Sequence, residues 1–261
     1  MAPAPSSRRS KGRTRPGSNR RAPLYARDLA YIHHVGFGHF ARQAAPELIQ
    51  ILRQSGVRRG TLVDLGCGSG LWARAALAAG FDVVGVDQSP AMVALATRTA
   101  PAAKFVTASL YDVALPPCAA VTILGEGLNY LPARGSAPAV GRLFRQIGRA
   151  LPPGGVLIFD VLVRGREAPR SRHWQSGTDW AVLVQTREVR NRRRLTRSII
   201  TFRKIGAAWR RSEETHRVRV FSRAELAAAL RRAGFSCRMT HRYGAYPLLP
   251  RRLAFVARKQ R

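Results

Sequence analysis

The sequence predicts an α/β protein: a mostly parallel β-sheet covered by helices on both faces, with an antiparallel β insertion late in the chain. Three observations predict it. Between residues 61 and 161, short apolar runs alternate with helix-like segments, and strands buried on both faces between helical crossovers run parallel. The first run ends in Gly66-Cys67-Gly68-Ser69-Gly70, directly before a helix-like segment. Between 178 and 221 the period changes, and "TRSIITFRK" and "THRVRVF" alternate apolar with polar residues, as strands with one wet face do.

Each element has a local reason. Residues 1–22 carry seven basic and no acidic residues among proline, serine and glycine. Without periodicity they are expected to form a disordered basic tail ahead of one domain over 23–261. Residues 23–59 are expected to be helical, because Leu48, Ile49, Ile51 and Leu52 make an apolar stripe. Strands are expected at 61–65, 82–86, 103–107, 119–124 and 156–161, with helices over 71–79, 90–99 and 138–150. Gly80 can end the first of these helices, and Ser89-Pro90 can open the second with an N-cap and a proline at the first helical position. Inserted antiparallel strands follow over 164–221, with Arg192 to Arg194 as a solvated hairpin turn. "SRAEL", Ser222 to Leu226, has capping-box spacing, and its helix stops at Gly234. Two last strands are expected near 236–241 and 253–258.

Length and composition bound the function. A chain of 261 residues, 46% apolar, can bury one sizeable core. No stretch approaches the roughly 18 unbroken apolar residues of a membrane span, and the N-terminus lacks the apolar core of a secretion signal, so no membrane partner is expected. Cys67, Cys118 and Cys237 lie far apart and form no CxxC pair. That argues against disulfides and structural zinc and suits a reducing cytoplasm. The net charge is +31, and +24 remains without residues 1–22. Such a surplus attracts polyanions, nucleic acid above all. Only four of the 45 basic residues are lysine, however, a bias that GC-rich arginine codons produce unaided.

The glycine loop narrows the chemistry. It lies where a βα turn passes beside a ligand at the carboxyl end of a parallel sheet, and glycine lets the backbone take positive φ and touch what is bound. A phosphate loop of the form G-x-x-x-x-G-K-[ST] is absent. The nicotinamide fingerprint G-x-G-x-x-G would need a third glycine where Leu71 stands. The residues present read G-x-G-x-G, preceded by Asp64.

The chain resembles the class I S-adenosylmethionine-dependent methyltransferases over roughly residues 40–258. "VDLGCGSG" (63–70), "VVGVDQSPAM" (83–92) and "ALPPGGVLIFD" (150–160) match that family's motifs in order and spacing. The resemblance implies a Rossmann-like, doubly wound, seven-stranded sheet, with S-adenosylmethionine as methyl donor and S-adenosylhomocysteine as product. Asp64 would accept from the methionine ammonium, and Gly66, Cys67, Gly68 and Gly70 would line its path. Asp87 would accept from both ribose hydroxyls, and Gln88 would flank the adenine. Ser109-Leu110 stands where many members have an acid followed by a backbone contact to adenine. Gly125-Glu126 would lie beside the sulfonium.

Methyl transfer needs alignment more than a catalytic motif, and a base only if the acceptor arrives protonated. Candidates are His33 and Tyr31 in "YIHHVGFGHF", a segment that family members fold over the cofactor, and His216 on the insertion. Asn129 and Tyr130 could line the acceptor side. "GEGLNY" lacks the motif of amino-methylating DNA enzymes, and Pro117-Cys118 reads as a turn and a core cysteine. Glu126 and Asp160 could ligate a metal, but with no third ligand no metal is expected. The expected acceptor is a small or medium-sized metabolite, with 164–221 as its lid. The alternative is an RNA methyltransferase or RNA-binding protein that uses the arginines.

Overall fold

The computed structural model describes residues 24–131, 137–165, 170–189, 191 and 193–261. The expected tail over 1–22, and Arg192 of the expected turn, lie outside the described residues. The chain enters through α1 (Arg27–Phe37) and α2 (His39–Gln54), separated at Gly38. Strands and helices then alternate: β1 (Gly60–Leu65), α3 (Leu71–Ala78), β2 (Phe81–Asp87), α4 (Pro90–Thr99), β3 (Lys104–Thr107) and β4 (Ala120–Ile123). A 3-10 turn at Gly127–Asn129, α5 (Ala137–Ala150) and β5 (Val156–Leu162) complete this half.

The insertion is a separate antiparallel sheet of β6 (Arg170–Ser176), β7 (Trp180–Val189), β8 (Arg194–Ile205) and β9 (Ala208–Arg219), paired in that order. After it come α6 (Arg223–Arg232), β10 (Phe235–Thr240), the short pair β11 (Arg242–Tyr243) and β12 (Tyr246–Pro247), and β13 (Arg252–Lys259). The large sheet has seven strands in the order β10-β13-β5-β4-β1-β2-β3. β1 to β5 run parallel, while β13 is antiparallel to both neighbours. The order reverses at β1, which lies between β2 and β4, and this opens a crevice at the strands' carboxyl ends.

Side-chain alternation along the strands builds a core on each face. Val63 and Leu65 of β1 join Phe144, Ile147 and Leu230 of α5 and α6; Leu62 joins Leu48, Leu52 and Trp72 of α2 and α3. Phe159 on β5 and Phe255 on β13 are register partners and stack with ring centroids 4.7 Å apart. Such a pair contributes about 0.5–1.5 kcal/mol beyond its burial. Cys118 is a core cysteine whose thiol burial pushes up to about 11.

Several local expectations are refined. Ser89 caps α4 by accepting from the Met92 amide at 3.1 Å. Only half of the capping box forms: Ser222 Oγ accepts from the Glu225 amide at 3.2 Å, but the Glu225 carboxylate turns to Arg193 and Arg219. β3 is the sheet's edge and leaves Val106 43% exposed, so it is not buried on both faces. β6 begins at 170, inside the 164–221 expected for the inserted strands, ahead of the alternating stretches of 178–221. α1 packs on the insertion through Leu29 and Ile32 against Trp180, Val182 and Ile199. Helix and insertion therefore roof the crevice together.

Candidate cofactor and acceptor site

The glycine loop adopts the backbone that glycine permits. Gly66, Gly68 and Gly70 have φ of 76°, 53° and 77°. The Gly66 and Cys67 amides donate to the Val86 carbonyl at 2.7 and 3.0 Å, which ties the loop to β2. A Cβ on Gly70 would stand 2.9 Å from the Ala96 Cα, so this glycine also lets the start of α3 approach α4.

Two carboxylates flank the loop. Asp87, at the end of β2, accepts from the Gly68 amide at 2.9 Å and the Ser89 amide at 2.8 Å. Burial still raises its pKa, against those hydrogen bonds. Asp64 is 2% exposed and accepts from Thr122 Oγ1 at 2.8 Å, which in turn accepts from Trp72 Nε1 at 3.0 Å. Burial pushes Asp64 up to about 7, with the Asp87 charge adding to the shift. Neither carboxylate has an ion-pair partner among the described residues. An acidic pair without a cation, Asp64 buried and Asp87 half-buried, fits a ligand that brings one, as a sulfonium zwitterion with an ammonium group does.

Glu126 differs. Gly125 and Glu126 both have φ of 66°, and their amides donate to the two Asp160 oxygens at 2.8 and 3.0 Å. The buried Glu126 carboxylate pairs with Arg197 Nη2 at 2.7 Å and Arg252 Nε at 2.9 Å. Burial alone would raise its pKa, but the two guanidiniums bring it below the usual range. Its charge is thus already balanced within the protein.

Asp64, Gly66, Cys67, Gly68, Asp87, Gly125, Glu126, Arg197 and Arg252 line one cavity of about 570 Å³, together with Gln88, Ser109 and Leu110. Gly70, expected to line the cofactor's path, stands behind it and serves the packing of α3 on α4. The roof comes from Tyr25, His33 and Phe37 on one side, and from Val182, Val184, Arg197 and Ile199 of the insertion on the other. The volume lies within the roughly 300–1,000 Å³ of small-molecule sites.

His33, Tyr130 and His216 meet in the cavity. Burial pulls His33 down to about 4, so its ring is neutral. His216 is 1% exposed. Its Nδ1 lies 3.2 Å from the Tyr130 hydroxyl and its Nε2 lies 2.8 Å from Glu214 Oε2. Two candidates are not brought in. Tyr31 is two residues from His33, about 200° around a helix; its hydroxyl donates to Asp179 at 2.6 Å and Arg203 covers its ring. Asn129 is fully buried: its side chain accepts from the Leu162 amide at 3.0 Å and donates to the Leu162 and Arg219 carbonyls. It holds the loop to β5 and β9 and does not line the cavity. Among the described residues no group of three or more His, Cys, Asp or Glu could hold a metal ion, and no helix is long and apolar enough to cross a membrane.

Sequence reasoning missed Tyr25, Arg197 and Arg252. Tyr25 has φ of 52°, and its amide donates to Glu214 at 2.7 Å while its carbonyl accepts from Ser89 Oγ at 2.7 Å. No local pattern marks a pairing across 189 residues of chain.

The comparisons with known proteins agree with this geometry. Residues 37–239 match the family described as methyltransferase domain. The chain is 27% identical over 185 residues to "Putative methyltransferase YqeM" of Bacillus subtilis (strain 168), covering 68% of this chain and 74% of that one. An S-adenosylmethionine-dependent methyltransferase from Clostridium acetobutylicum ATCC 824 superposes with a TM-score of 0.77 at 14% identity, over 89% of this chain and 98% of that one. The sugar N-methyltransferase KedS8 from Streptoalloteichus sp ATCC 53650 gives 0.73 at 24% identity, over 98% of this chain and 100% of that one. The chain belongs to the methyltransferase-domain family and is a class I S-adenosylmethionine-dependent methyltransferase.

Proposed function

We propose that this enzyme methylates a small or medium-sized metabolite, with the β6–β9 insertion as acceptor lid. The observation that carries this reading is the roofed cavity: α1 and the insertion cover the crevice, leaving about 570 Å³ lined by apolar and aromatic side chains. KedS8, titled a sugar N-methyltransferase, matches over 98% of this chain and is consistent with an acceptor of that size.

The cofactor roles follow from charge and position. Asp64 accepts from the methionine ammonium, and Gly66, Cys67 and Gly68 let the backbone lie against the ligand. Asp87 accepts from the ribose hydroxyls, Gln88 flanks the adenine, and Ser109 with Leu110 meets its edge. Gly125 and Glu126 border the methionine side. When bound, S-adenosylmethionine supplies a methyl carbon to which the acceptor's lone pair bonds, while the C–S electron pair stays on sulfur. Alignment is worth on the order of 7–11 kcal/mol in such displacements. The free thiols of Cys67, Cys118 and Cys237 suit a reducing cytoplasm.

Radiolabelled S-adenosylmethionine incubated with purified protein and cell extract tests this reading. Label in the small, RNase-resistant fraction is expected. Label confined to RNA or protein overturns it.

A second reading has one observation in its favour. The outer face of the insertion carries Arg170, Arg172, Arg187 and Arg217, without ion-pair partners among the described residues, beside Trp174 at 71% exposure. Arg170 and Arg187 are direct cross-strand partners, an arrangement that favours a bound anion. RNA binding there would weaken steeply with salt, by roughly 0.7 in log–log slope per single-strand phosphate; a flat response rejects it.

A further inference from the structure

We infer that Tyr130, His216 and Glu214 form a directional proton relay, and that the acceptor therefore reaches this site with a proton on its nucleophilic atom, as an amine or a hydroxyl. The inference rests on the small-molecule reading above and narrows it.

The direction follows from counting donors. Glu214 takes the Tyr25 amide on Oε2 at 2.7 Å and the Ala26 amide on Oε1 at 2.9 Å. Main-chain amides can only donate, so this carboxylate is an acceptor, and His216 Nε2, at 2.8 Å from Oε2, must be the donor to it. A neutral imidazole with its proton on Nε2 has its lone pair on Nδ1. The Tyr130 hydroxyl, 3.2 Å away, therefore donates to Nδ1, and with its one hydrogen so used it accepts from the Tyr25 hydroxyl and keeps one oxygen lone pair for the acceptor. The Tyr25 hydroxyl lies 3.3 Å from that oxygen. Tyr130, Tyr25 and His216 all line the cavity, whereas Glu214 stands behind them.

The proton moves along this line. The acceptor's N–H or O–H gives its proton to the Tyr130 oxygen while the Tyr130 proton passes to His216 Nδ1. The imidazolium so formed keeps its Nε2–H on Glu214, and the proton leaves to solvent after turnover. Burial raises the Tyr130 hydroxyl pKa, so tyrosine passes a proton on and does not store the negative charge. The other charged and titratable groups facing His216 are Arg197, its register partner on β8, His33 on α1, and Tyr25, whose ring centroid lies 4.9 Å away and whose hydroxyl pKa burial raises. Glu126 offsets Arg197, and His33 is neutral. Glu214 is a positioning residue: it fixes the tautomer and does not touch the acceptor.

The test reads the ring directly. In the full chain with 15N-labelled histidine, the His216 resonances are assigned by their loss in His216→Asn. The expected spectrum has the proton on Nε2 and a hydrogen-bonded lone pair on Nδ1. Tyr130→Phe should keep that tautomer, lose the hydrogen-bond shift at Nδ1 and slow label transfer to the small-molecule fraction by about 100-fold. Glu214→Gln should leave the tautomers mixed. A wild-type proton on Nδ1, or an imidazolium that persists through neutral pH, overturns the relay even if Glu214→Gln fails to fold. Label found only in macromolecules would instead defeat the small-molecule reading, whatever the tautomer.

Discussion

Asp28 on α1 and Arg210 on β9 form a two-pronged ion pair, with Nε to Oδ2 at 2.7 Å and Nη2 to Oδ1 at 2.5 Å. Ser212 Oγ adds a hydrogen bond at 3.1 Å, and Arg203 stands 3.6 Å away. This pair clamps the first described helix to the insertion and so holds the roof shut. The Arg210 hydrogen bond is the main cause of a lowered Asp28 pKa. A lowered carboxylate stabilises the fold above its ordinary titration range, and that stabilisation is lost as pH falls through the folded value. Thermal unfolding followed from about pH 6 down to about pH 3 should fall less steeply in Asp28→Asn than in wild type. Equal slopes would mean that the clamp contributes nothing.

Asp64 has the opposite sign. Its folded pKa, about 7, lies above the ordinary 3.8, so the folded protein binds the extra proton between those values. Stability without ligand should decline as pH rises across that window, and Asp64→Asn should flatten the decline. The same substitution should weaken S-adenosylmethionine binding by roughly 10- to 100-fold, the range of a hydrogen bond to a charged group. Binding to wild type near pH 6 should release a proton, visible in calorimetry as a buffer-dependent heat. No buffer dependence would show that Asp64 does not meet the ammonium.

Gly68 and Gly70 should respond differently to alanine. At Gly68, φ is 53° and an added Cβ meets nothing within 4 Å. The cost is backbone strain of about 1–2 kcal/mol, with cofactor affinity the larger loss. At Gly70 the same strain combines with a 2.9 Å approach to the Ala96 backbone. Gly70→Ala should lower the melting temperature of the unliganded protein well beyond Gly68→Ala. Equal melting temperatures would contradict the packing role.

Asn129→Ala separates scaffold from site. The substitution strands the Leu162 amide and takes a donor from the Arg219 carbonyl, while the Leu162 carbonyl keeps the Phe221 amide at 3.3 Å; an unsatisfied buried group costs about 1–3 kcal/mol. A large loss of thermal stability is expected, and soluble folded variant should keep its acceptor KM. A raised KM with unchanged stability would return Asn129 to the acceptor side.

The floor of the site was legible because its determinants are local. The glycine triplet, Asp64 before it, Asp87 at the end of β2 and Ser89 as the cap of α4 lie within 26 residues, each next to the turn or strand end that fixes its direction. The roof was less legible. Tyr31 and Tyr25 are both tyrosines near α1, and only the packing of Leu29 and Ile32 on Trp180 decides which way the helix turns. β6, "RSRHWQS", lacks an apolar alternation because it is the edge of its sheet. Glu126 was expected near the ligand's charge, and the two arginines that balance it come from β8 and β13. Only tertiary structure brings those strands to one loop.

The pairing of Tyr25 with Glu214 also sets an order in time. The floor is encoded between residues 62 and 130, but the roof joins Tyr25 and Asp28 to partners 189 and 182 residues later in the chain. During synthesis from the N-terminus, the nascent protein can build most of its parallel sheet with the ligand crevice still uncovered. Until the insertion has emerged and folded back, that floor stays open to solvent. Chaperone dependence and sensitivity to proteases should therefore concentrate in the interval between completion of β5 and closure of β9.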